Sequence, residues 1–271
     1  MSIRDTRWLR LRRRLGPVTR RVPYGHHVTE SATYARLLLP GLQRPHRRFL
    51  IFAQGRSGST LLADLLNSHP DVYCADEILT WKRRDPARYA KACSVGHRCG
   101  TYGFKVKIYQ LTEAQEITAP NAWLRDMHAD GWSVLHLQRT NVLRQALSSM
   151  VAEQRSVYHE EGAGSEPQPV LIDIDDLFAR TRRRVTTIED EVAALDGVPH
   201  EAFVYEDDLL RPETHQATAD RAFEFLGLTS VPVTTSLRKI ADRPLEQVVA
   251  NADAVRVAVA SSPYAELLES D

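Results

Sequence analysis

The chain has 271 residues, 43% of them apolar and 26% charged, enough to bury a sizeable core within one α/β domain. Its 35 basic residues balance its 35 acidic ones, which excludes a general electrostatic coat for nucleic acid. No apolar run approaches the ~18 residues of a membrane span, and the amino terminus lacks the apolar core of a secretory signal.

The balance hides an asymmetry, because residues 1–21 carry eight arginines against one acid. Residues 1–45 read as a basic arm, partly helical or flexible. Contact with a membrane surface or an acidic partner is the sharper expectation for it. Three cysteines are too few, and odd in number, for a disulfide framework, so a reducing cytoplasm is the expected compartment. Cys74, Cys93, His97 and Cys99 fit no common zinc spacing, so free thiols or a local disulfide are expected, and no metal ligands.

Within the arm, 29–42 forms a short helix stopped at Pro40-Gly41. Residues 46–271 form the main domain. It begins with an apolar strand at 48–53 and a helix at 59–67, then a short strand at 72–74. Residues 80–100 are a polar insertion with a short helix. "TYGFKVKIY" alternates as a strand, a helix follows near 121–129, and 132–138 is strongly apolar strand. A helix over 141–158 leads to "HEEGAGSEPQP", whose Gly, Ser and Pro mark a loop insertion at 160–169. A long helix over 175–195, a strand at "EAFVYEDDL", a helix over 214–226 ended by Gly227 and a helical tail complete the chain. Strands alternating with helices of ten or more residues imply one doubly wound parallel sheet. Ligands of such sheets lie beyond the carboxyl ends of the strands.

The turn "AQGRSGST" occupies one of those ends. Its glycines let successive N–H groups point at an anion. Ser57, Ser59 and Thr60 add hydroxyls, and the next helix presents its positive end. A Walker loop would need a lysine before the Ser/Thr, and a dinucleotide fold G-x-G-x-x-G; neither is present. Arg56 is therefore the cation that meets the anion. A second element, "LHLQRTNVLRQALSSM", puts Arg139 just past an apolar strand and Ser148 on the following helix. Guanidinium plus hydroxyl suits a second phosphate.

With these motifs the sequence resembles the sulfotransferases that use 3′-phosphoadenosine 5′-phosphosulfate, particularly the bacterial nodulation-type, carbohydrate-sulfating branch. "GRSGSTLL" is similar to the family's 5′-phosphosulfate loop and "RTNVLRQALSS" to its 3′-phosphate motif. "SHPDVYCADEI", "YGFKVKIYQL", "VYEDDLLRPETHQATADRAFEFLGL" and "SSPYAELL" follow in the branch's order, although the branch usually writes Gly before the Glu at which "CADE" ends.

The resemblance implies a P-loop-kinase-like three-layer fold, a central parallel sheet flanked by helices, and no metal requirement. It assigns Arg56, Ser57, Gly58, Ser59, Thr60 and Leu61 to the phosphosulfate, and Arg139 and Ser148 to the 3′-phosphate, with Ser149 as the alternative hydroxyl. Lys239, next to Arg238, falls where the wider family places a basic 3′-phosphate ligand. Glu77 is implied as the general base, on the loop after the second strand.

Since histidine serves as base elsewhere in the family, His97, His128, His136 and His159 compete. His136 reads as packed core, and His159 is the best alternative. Lys105 and Lys107 share one strand face, and one could reach the sulfuryl oxygens unless both make structural ion pairs. Glu206-Asp207-Asp208 reads as a helix start with ion pairs. The expected acceptor is a hydroxyl of a carbohydrate, glycolipid or secondary metabolite, with 3′-phosphoadenosine 5′-phosphate (PAP) as product. A small-molecule kinase and a silent nucleotide-binding module are the competing readings; the kinase would need the missing lysine and magnesium ligands.

Overall fold

The computed structural model describes residues 25–158, 168–235, 237 and 244–269. The first 24 residues, His159, the 160–167 part of the loop insertion, Arg238 and Lys239 lie outside the described residues, and with them most of the basic arm.

Five strands form one parallel sheet: β1 (Arg47–Ala53), β2 (Val72–Glu77), β3 (Thr101–Val106), β4 (Trp132–Gln138) and β5 (His200–Val204). Their order is β2-β3-β1-β4-β5, with β1 pairing in parallel with both β3 and β4. Parallel neighbours require crossovers, which helices supply. These are α1 (Gly25–Ala35), α2 (Ser59–Leu66), α3 (Pro86–Ser94), α4 (Pro120–Ala129), α5 (Val142–Tyr158), α6 (Ile174–Leu195) and α7 (His215–Phe225), followed by α8 (Leu245–Val248), α9 (Ala252–Ala260) and α10 (Glu266–Glu269).

A sheet covered on both faces needs continuous apolar strands rather than alternating ones, and "RFLIFA" and "WSVLHLQ" are of that kind. Successive β1 side chains supply the two faces. Phe49, Ile51 and Ala53 pack with α2 residues Leu62, Leu65 and Leu66 and with Phe223 of α7. Leu50 and Phe52 pack with Phe104, Leu124, Met127 and Trp132 and with Leu195 at the end of α6. The result is a three-layer α/β architecture, a central parallel sheet flanked by helices. A third cluster joins α5, α6 and α9 through Leu143, Leu147, Leu177, Val255 and Val259.

Two segments differ from the sequence expectation. Strand β2 runs three residues further than 72–74, so Glu77 is its last residue and not part of the following loop. A register shift between Ala75 and Glu77, against Phe104 and Lys105 of β3, sets Asp76 apart as a bulge. An extra residue in one strand re-aims the side chains beyond it: Asp76 turns outward and Glu77 is half-buried. The described part of the arm is also docked. α1 lies on the 80–100 insertion, where Arg84 N donates to Glu30 Oε1 (2.9 Å) and Asp85 N to Tyr34 Oη (3.1 Å).

Candidate active site

The turn between β1 and α2 bends because two residues take left-handed backbone, Arg56 at φ 67° and Gly58 at φ 91°. Glycine reaches that region freely, whereas arginine is strained there. Ser57 is fully buried and donates to Gln54 O (2.7 Å), so its hydroxyl closes the turn instead of facing an anion. Gly58 is the cap residue of α2, and no side chain caps that helix. The first N–H groups of α2, from Ser59 to Leu61, are therefore left without a side-chain cap, an arrangement that suits an anion. The Leu61 side chain rests on the core beneath.

The two sequence motifs meet here. Arg56 Nε donates to Ser148 Oγ (3.0 Å), and Arg139 Nη1 donates to the Arg56 carbonyl (3.4 Å). Arg139 is buried, lies over the Tyr205 ring at 4.5 Å and sits 3.6 Å from Glu206. Glu206 also accepts from Thr140 N (2.9 Å) and Asn141 N (3.0 Å), holding the backbone just ahead of α5, whose N-cap is Asn141 accepting from Arg144 N (2.9 Å). Asp208 accepts from Val204 N (2.7 Å) and pairs with Arg221 (2.7 Å). The acidic run thus works in backbone hydrogen bonds and ion pairs. On α5, Gln145, Ser148 and Ser149 share one face. Gln145 Nε2 donates to Gly55 O (3.0 Å), and Ser149 Oγ accepts from Arg184 of α6.

Beyond β2 and β3 a cavity of about 440 Å³ is lined by Glu77, Thr80, Lys107, Tyr109, Gln110, Glu113 and Ala114. Glu77 Oε2 accepts from Lys107 Nζ (2.8 Å) and Gln110 Nε2 (2.8 Å). Burial alone would lower the Lys107 ammonium, but its hydrogen bonds to Glu77 and Tyr109 prevail and leave it raised, hence cationic. Lys105, buried, pairs with Asp76 (2.8 Å) and donates to Thr60 Oγ1 (2.9 Å), tying β3 to the phosphate turn. That hydrogen bond from Lys105, ahead of burial acting the other way, holds the Asp76 carboxyl below its usual range. Both lysines make ion pairs.

The remaining candidates fall elsewhere. His136 is buried in β4, 3.8 Å from Glu191. His97 stacks on Tyr73 at 4.5 Å, and His128 is exposed at the end of α4. The three cysteines are free thiols, and burial pushes that of Cys74 up to about 12. Among the described residues no group of three His, Cys, Asp or Glu side chains is arranged to hold a metal ion, and no helix is long and apolar enough to cross a membrane.

Sequence reasoning missed Arg184, Gln110 and Gln145. Arg184 Nη1 donates to Gly55 O (3.1 Å) and Gln54 Oε1 (3.4 Å). It sits in "ARTRRR", where nothing distinguishes it from the arginines beside it.

A glycine- and serine-rich turn at the end of a central parallel strand, crossed by guanidinium groups and adjoined by a carboxylate-bearing cavity, defines an α/β protein with a cationic site at the carboxyl edge of its sheet. Comparison with known proteins narrows the class. The chain is 26% identical to Nodulation protein H of Rhizobium meliloti over 256 residues, covering 83% of this chain and 96% of the relative. It is 25% identical, over the same shares, to Nodulation protein H of Rhizobium meliloti strain 1021. A solved structure, that of a sulfotransferase from Alicyclobacillus acidocaldarius, aligns with a TM-score of 0.45 at 17% identity, covering 81% of this chain and 95% of that one. No family model matches the chain. The two curated relatives agree, over most of the chain, with the nodulation-type resemblance that the motifs carry.

Proposed function

We propose that this protein transfers the sulfuryl group of 3′-phosphoadenosine 5′-phosphosulfate to a hydroxyl of a carbohydrate, glycolipid or secondary metabolite. The observation that carries the reading is the Arg56–Ser148 contact at 3.0 Å, which joins the two phosphate motifs in one cleft facing the Glu77 cavity. The uncapped N terminus of α2 suits the leaving phosphate. Arg56 neutralises the charge that grows there, and Arg139 with Ser148 or Ser149 suits the 3′-phosphate.

In the reaction the acceptor oxygen forms a bond to sulfur while the bond from sulfur to the bridging oxygen breaks. The electron pair of the broken bond stays on the 5′-phosphate of PAP. Glu77 takes the acceptor proton, held in place by Lys107 and Gln110. The cavity beside Glu77, with the hydrogen-bonding side chains of Thr80, Lys107, Tyr109 and Gln110 on its wall, suits a polyhydroxylated acceptor.

Thermal melting with PAP or with ATP tests the donor. PAP at 100 times its Kd should stabilise the fold by about 2.7 kcal/mol. Protection by ATP without protection by PAP would overturn the reading in favour of a kinase.

A further inference from the structure

Arg184 lies outside every sequence motif, yet it occupies the boundary between the phosphate turn and the cavity. Its three hydrogen bonds, to Gly55 O, Gln54 Oε1 and Ser149 Oγ, fix the guanidinium plane. A guanidinium has five N–H groups, so two stay uncommitted among the described residues. Satisfying the Gly55 carbonyl does not require this arginine, because Gln145 already donates to it at 3.0 Å. Nor does Arg184 pair with any carboxylate among the described residues.

The surroundings of Arg184 are cationic. Burial lowers its guanidinium to about 10, Tyr109 pulls the other way, and Arg139, Arg180 and Arg56 add to the lowering. A half-buried cation among cations, with no acid beside it, is costly unless an anion arrives.

The position identifies the anion. A Cβ on Gly55 would lie 3.7 Å from Lys107 Nζ and 3.8 Å from Tyr109 Oη, and both residues line the cavity with Glu77. Arg184 holds the carbonyl of that same Gly55. A group passing from a phosphate on the turn to an acceptor at Glu77 must cross this gap. Resting on the sulfuryl-transfer reading, we propose that Arg184 is a further catalytic residue, whose free N–H groups bind the oxygens of the sulfuryl group in transit.

PAP lacks the sulfuryl group, which gives a test that needs no acceptor. Calorimetric titration compares PAP with 3′-phosphoadenosine 5′-phosphosulfate on the wild type and on Arg184→Gln and Arg184→Lys. For the Gln variant the expected result is PAP affinity within about twofold of wild type and sulfated-donor affinity weaker by about 10- to 100-fold, the scale of a charge-assisted hydrogen bond. The Lys variant keeps a cation if Gln impairs folding, and should retain part of the preference for the sulfated donor. Equal losses for both nucleotides would make Arg184 a phosphate ligand and overturn the proposal, as would no loss for either. A wild type that binds neither nucleotide would instead bring down the donor reading itself.

Discussion

Glu77 uses one of its two oxygens for structure. Oε2 takes both Lys107 and Gln110, and Oε1 takes no hydrogen bond among the described residues. A carboxylate fixed on one side and open on the other is pre-aligned for a single proton transfer. Glu77→Gln preserves shape and much of the hydrogen bonding but removes the basicity, so turnover should fall by about 10²- to 10⁴-fold. PAP affinity should stay within a few-fold. PAP release under steady state and calorimetric titration check the two halves, and unchanged turnover would remove Glu77 from the role. Gly58 makes the opposite case, in which backbone geometry dominates. At φ 91° an added Cβ would also lie 2.6 Å from the Tyr205 ring. Gly58→Ala should therefore cost about 1–3 kcal/mol of stability and weaken PAP binding, because the turn must flatten to relieve both strains. Urea unfolding and PAP titration of the same variant measure each effect.

At the scale of elements, α5 supports the site because its start and its two faces are separately employed. The backbone at its start is held by Glu206 from the turn after β5, the carboxylate that also sits 3.6 Å from Arg139. Glu206→Ala removes the two backbone hydrogen bonds ahead of the helix and the anchor of Arg139 together. It should cost about 1–2 kcal/mol in urea unfolding and weaken PAP binding by freeing Arg139. Binding unchanged beside lowered stability would show that Glu206 does not position the arginine.

Much of this framework was legible in the chain. The apolar runs at 48–53 and 132–138 read as buried strands because both sheet faces are covered. That Arg56, Arg139 and Ser148 come together was legible because Arg56 lies in the turn after one apolar strand, Arg139 directly follows another, and Ser148 is on the helix after it. The end of β2 was not, since Ala75-Asp76 breaks the apolar pattern and only pairing with β3 reveals the bulge that turns Glu77 inward. Arg184 was not legible either. Its place depends on where α6 crosses the phosphate turn, which no local pattern encodes.

At the scale of the molecule, the fold joins the sheet, with its two covered faces, to a helical annex. Leu143, Ala146, Leu147, Met150 and Val151 turn the back of α5 into that annex, against Val255 and Val259 of α9. Asn141 Nδ2, at the start of α5, also donates to Leu267 O (2.7 Å), so the end of the chain reaches back to the site helix. The opposite face of α5 bears Gln145, Ser148 and Ser149, so the annex backs the site without touching its polar groups. Val255 is fully buried there. Val255→Ala leaves a two-methyl cavity, at a cost of about 1–3 kcal/mol. In a chain of this size each kcal/mol lowers the melting temperature by about 2–4 °C. Because the loss lies behind α5, PAP should bind the variant within about twofold of wild type and raise its melting temperature by the same increment. Calorimetric melting with and without PAP measures both quantities. A smaller increment in the variant would mean that α5 shifts when its backing is thinned, so that the annex sets the geometry of the anion site as well as supporting it.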